Sequence, residues 1–106
     1  MAISVASSSE RPRYNDLVDI GRLPGGELIS RGLADLANGE ETIESLLVAI
    51  GAPRLRRLGF RVPSVDRPEH RLYDLLAATG SDTAHSRYNA LLRKLTSFER
   101  AAECVV

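Results

Sequence analysis

The stretch Glu40–Arg61, EETIESLLVAIGAPRLRRLGFR, decides how the chain is read. Ile43, Leu46, Leu47 and Ile50 recur at the spacing of one helix face, and Val48 and Ala49 widen that face. A helix apolar on nearly every side belongs at the centre of a fold. Gly51 ends it, Pro53 suits the first turn of a second, short helix over 53–59, and Gly59 closes that piece. Leu55 and Leu58 point one way there, while Arg54, Arg56 and Arg57 point elsewhere; with Arg61 they form the densest positive cluster of the chain. A core helix therefore turns into a basic one.

Upstream, Glu27–Asn38 places Ile29, Leu33, Leu36 and Ala37 on one face, with Glu27 at the positive end of the helix dipole. Gly32 in its middle costs about 1 kcal/mol relative to alanine, a cost that makes sense where another helix comes close. Asn38 with Glu41 has the spacing of a helix cap for the central helix. Leu23-Pro24-Gly25-Gly26 is a turn by composition. Tyr14, Leu17 and Val18 predict a short helix over 14–20, stopped by Gly21. Residues 1–13, small and Ser-rich, are expected to be a disordered N-terminal tail, which leaves 14–106 as one helical domain.

Downstream, Phe60-Arg61-Val62-Pro63 alternates like a strand, but Pro63 and the missing partner favour a packed loop. Asp66 with Glu69 suits the start of a helix over 66–79 carrying Leu72, Leu75 and Leu76. Ser81 or Asp82 then caps a helix over 82–103. Its stripe of Ala84, Tyr88, Leu91, Leu92, Leu95, Phe98 and Ala102 is the longest periodic signal present. Two long helices this close in sequence imply a C-terminal antiparallel hairpin. The expected fold is all-α, a small bundle of four to five helices.

With 106 residues the chain buries one core, and its large surface fraction favours association with a second copy. The formal charge is zero, from 14 basic and 14 acidic side chains, but it is unevenly placed. Residues 1–50 hold four arginines against eight acids, a net −4, and residues 51–106 hold ten basic side chains against six acids, a net +4. Such halves point to self-complementarity, either within the fold or between subunits, with nucleic-acid binding as the other reading. The single cysteine, Cys104, excludes an intrachain disulfide and a cysteine zinc site, and suits a reducing cytoplasm. No apolar run reaches the roughly 20 residues of a membrane span, and the N-terminus lacks the charged and apolar regions of a secretory signal.

No reactive constellation emerges. His70 pairs with Asp74 at helical spacing, and His85 follows Asp82, either of which resembles a base with its orienting carboxylate. Each lies near the start of its own helix, however, on the order of 20 Å apart in an antiparallel hairpin. Cys104 does not bridge that gap. The arginine-then-histidine spacing of HEPN-type endoribonucleases fails, because Arg67 is too close to His70 and Arg61 too far, and His85 has no arginine in range. No nucleophile elbow, phosphate loop or dinucleotide fingerprint occurs. Neither catalytic residues nor a cofactor or metal site is expected.

Two functions follow. The first is a protein-interaction or regulatory module, homodimeric, with Tyr88, Leu91, Leu92, Leu95 and Phe98 as its interface stripe. Arg54, Arg56, Arg57 and Arg61 are then a basic docking surface for a protein. The alternative is a nucleic-acid-binding regulator using that same cluster. A groove-reading helix is disfavoured, since 53–59 is short and poor in side chains that read base edges; phosphate contact alone would serve.

Overall fold

The computed structural model describes residues 20–105. A 3-10 turn, Ile20–Arg22, leads into α1 (Gly26–Ala37), α2 (Ile43–Ile50), α3 (Ala52–Arg57), α4 (Pro68–Gly80) and α5 (Ala84–Val105). The all-α small bundle is what the chain forms, and no strand occurs among the described residues. The expected tail over 1–13 and all but the last residue of the expected helix over 14–20 lie outside those residues. Gly21 does not act as a stop, since the 3-10 turn runs through it.

α2 is the hub, packed against α1, α4 and α5. Leu46, Leu47 and Val48 are at most 1% exposed, so its burial is nearly all-round, as its composition demands. The start of α2 differs from expectation. Thr42 is the cap: its Oγ1 accepts from the Ser45 N–H at 3.0 Å, and the Ser45 Oγ accepts from the Thr42 N–H at 2.7 Å. This is a reciprocal capping box with serine in the place usually held by glutamate or glutamine. Ser45 is fully buried yet satisfied, because its hydroxyl also reaches the Thr42 carbonyl. Asn38 does not cap α2; with Gly39 it suits the end of the helix over 27–38, and it does terminate α1, its N–H bonded at 3.1 Å to the carbonyls of Ala34 and Asp35.

The close approach anticipated at Gly32 is real. A Cβ there would overlap the Glu44 carbonyl oxygen and fall 2.5 Å from Val48 Cγ2, so only glycine lets α1 and α2 touch backbone to backbone. Ile29, one turn earlier, is fully buried at the same contact region.

α3 is a single short turn and a half, and the loop behind it is packed rather than paired. Phe60 and Val62 are buried, and the Phe60 and Phe98 rings meet with centroids 6.0 Å apart. Arg56 holds the loop down by donating from Nε and NH2 to the Val62 carbonyl at 2.9 and 2.7 Å. The start of α4 is a second correction. Asp66 and Glu69 do not cap it; Arg67 stands at the boundary, left-handed at φ 47°, with no side-chain cap. Pro68 disfavours the right-handed helical region for the residue before it, and the left-handed conformation that Arg67 takes costs about 1–2 kcal/mol for a non-glycine residue.

α4 and α5 join through Ser81–Thr83. Thr83 stands before α5, its carbonyl accepting from the Arg87 N–H at 2.9 Å, so the helix opens one to two residues later than Ser81 or Asp82 implied. Arg87 reaches back to Thr79 Oγ1 at 2.8 Å, and the Tyr73 and Tyr88 rings sit 5.5 Å apart. Contacts that move backward along α4 as they move forward along α5 belong to an antiparallel hairpin. The 22 residues of α5 extend about 33 Å, well past α4, and its second half crosses α1 and the α2–α3 corner.

Candidate interaction surface

The basic cluster does not stay together. Arg54 turns to α5, where Nε and NH2 grip the two carboxylate oxygens of Glu103 at 2.6 and 2.7 Å, and NH1 lies 3.5 Å from Glu99 Oε1. Arg56 serves the Val62 carbonyl and also reaches Ser64 Oγ. Arg57 and Arg61 are exposed, with no ion pair within 4.0 Å among the described residues. Two of the four arginines are therefore structural. Sequence spacing could not reveal this, because Glu99 and Glu103 lie 45 and 49 positions away.

The apolar stripe divides in the same way. Phe98 is fully buried and Leu95 only 4% exposed, so both belong to the core of their own chain and leave the candidate interface. A helix that crosses the bundle at its C-terminal half buries that half first. Tyr88, Leu91 and Leu92 remain partly exposed. Burial, reinforced by the Glu69 carboxylate, pushes the Tyr88 hydroxyl above its ordinary value.

Glu99 is the feature that sequence reading missed. Its side chain is 7% exposed, and it is the one buried acid among the described residues. It sits over Gly51, whose hypothetical Cβ would lie 2.8 Å from Glu99 Oε2 and 2.9 Å from Leu95 Cδ1. At φ −87° Gly51 needs no special backbone freedom; the glycine is there for space. Desolvation raises the Glu99 carboxyl above the usual range, opposed by the Arg54 charge and assisted by Glu103. Glu103 is shifted the other way, held low by its hydrogen bonds to Arg54. The same pair of carboxylates thus has opposite leanings, set by burial in one and a charged partner in the other.

Two shallow clefts meet on the outer side of α5. One, of about 370 Å³, lies between α3 and α5 and includes Ile50, Pro53, Arg54 and Arg57. The other, of about 410 Å³, lies beyond and includes Arg93 and Arg100. Leu92 and Thr96 border both, forming a ridge with arginines on either side. Around the N-terminal end of α2 lies a contrasting cleft of about 360 Å³. Leu36, Pro63 and Val65 contribute its apolar surface, and Glu40, Glu41 and Asp66 its acidic rim. Arg71 crosses to Glu41 at 3.0 Å. Glu40 has no ion pair among the described residues.

The histidines remain apart from all of this. His70 Nε2 lies 3.3 Å from Asp74, with both side chains 67% exposed. His85 meets Asn89 rather than Asp82. Cys104 is exposed within the last turns of α5. No group of three metal-ligating side chains occurs among the described residues. No helix there is long and apolar enough to cross a membrane. Comparison with protein-family models, with characterised proteins and with solved structures gives no match.

Proposed function

We propose that the chain is a non-catalytic interaction module that pairs with a second copy of itself in a reducing, cytoplasmic setting. The observation that carries this reading is the segregation of exposed charge around partly apolar clefts. Arginines flank Leu92 on α5, and carboxylates rim Leu36 and Val65 at the far end of α2. Opposite potentials on like molecules attract, and a formal charge of zero removes any net repulsion between copies.

Among the described residues Tyr73 is the only exposed large hydrophobic side chain. The association is accordingly polar and reversible rather than a shared hydrophobic core. Sedimentation equilibrium at tens of micromolar tests it. A dimer that weakens as salt is raised is the expected result; a monomer at every concentration and low salt defeats the reading. Nucleic-acid binding is not adopted, because Arg54 and Arg56 are engaged within the chain.

A further inference from the structure

Resting on self-association, we infer that the Leu92–Thr96 ridge of one copy seats in the acid-rimmed cleft of the second. The ridge lies between two shallow clefts, with Arg57 and the buried Glu99 on one side and Arg93 and Arg100 on the other. All three arginines are exposed and none has an ion pair within 4.0 Å among the described residues. The receiving cleft is lined by Leu36 and Val65 and carries Glu40 and Asp66, with Arg71 held by Glu41 and Arg67 3.7 Å from Asp66. The two surfaces carry opposite exposed charge. Ridge against ridge is disfavoured, since it would bring Arg57, Arg93 and Arg100 of the two copies together.

In a two-fold pair each copy gives its ridge to the cleft of the other, so the contact is made twice. The affinity comes from rim charges as much as from Leu92, so it falls as salt screens them, with a Debye length of about 8 Å at physiological ionic strength.

The test reverses each surface separately and then combines the two. Arg93→Glu with Arg100→Glu reverses the ridge; Glu40→Lys with Asp66→Lys reverses the cleft. All four positions are exposed, and circular dichroism checks that each variant keeps the helical content of the parent. Each variant alone is expected to self-associate at least about a hundredfold more weakly than the parent. Mixed in equal amounts, they are expected to re-form a one-to-one pair within about tenfold of the parental affinity, because reversed ridge meets reversed cleft. A parent that dimerises while either variant dimerises equally well overturns the docking surfaces and leaves self-association standing. Variants that weaken but do not recover on mixing also overturn this pairing. A monomeric parent overturns both conclusions, and if it shifts random duplex DNA or RNA at low salt the ridge belongs to nucleic acid instead.

Discussion

At the α1–α2 contact Gly32 faces a backbone carbonyl and a valine methyl; at the α3–α5 contact Gly51 faces a buried carboxylate and the tip of a leucine. Both glycines are buried beneath a neighbouring helix, and neither has a left-handed backbone that would itself require glycine. What differs is what they let in. The first contact is backbone-tight, with Ile29 and Val48 fully buried in the core around it and the Arg31–Glu44 and Thr42–Asp35 contacts at its edge. The second admits Glu99, faced by Arg54, which Glu103 also holds at the surface. One contact closes backbone against backbone, and the other holds a buried carboxylate.

Gly32→Ala separates them most sharply. The obstructing Glu44 carbonyl cannot swing aside, so the helices must part, and a loss of about 3 kcal/mol is expected from overpacking. Chemical denaturation would measure it; a variant as stable as the parent would mean that α1 and α2 are less closely apposed. Gly51→Ala should cost less, about 1 kcal/mol, because Glu99 Oε2 and the Leu95 methyls are ends of flexible side chains. Its melting temperature should drop by roughly 4 °C. A loss equal to that of Gly32→Ala would erase the distinction between the contacts.

The smallest effect concerns pH. Because burial raises the Glu99 carboxyl, the native state holds its proton more tightly than the unfolded chain does. That contribution is fully present below the ordinary glutamate value and is lost as pH rises through the raised native one. Glu103, held low by Arg54, behaves oppositely: its contribution is present above the ordinary value and is lost as pH falls through the depressed one. Glu99→Gln should therefore gain stability relative to the parent as pH is raised from about 4 to about 7. Thermal melts across that range are the measurement, and parallel curves for the two proteins would show that Glu99 makes no such contribution.

The helices themselves were legible because each has a local signature. Ile43, Leu46, Leu47 and Ile50 mark α2, and the Leu72–Leu76 spacing marks α4. The caps were less so. Thr42–Ser45 satisfies two backbone donors without the glutamate by which such boxes are usually spotted, and Pro68 shifts the start of α4 by acting on Arg67. The candidate surface was half legible. Arg54, Arg56, Arg57 and Arg61 are adjacent in sequence, but their division into structural and free arginines depends on where α5 and the 60–64 loop lie. Phe98 and Leu92 share one stripe; only the crossing of α5 over the bundle buries the first and leaves the second at the surface.

By itself, then, the sequence determined an all-α chain, a central α2, a close approach at Gly32 and a hairpin of α4 and α5. These follow from periodicity and from residues acting within a few positions of one another. The tertiary structure alone decided that Gly51 makes room for Glu99, that Arg54 pairs with Glu99 and Glu103, and that Arg57 lines one cleft with Leu92. Each of those outcomes joins residues dozens of positions apart, and spacing along a chain carries no information about which distant helices will cross.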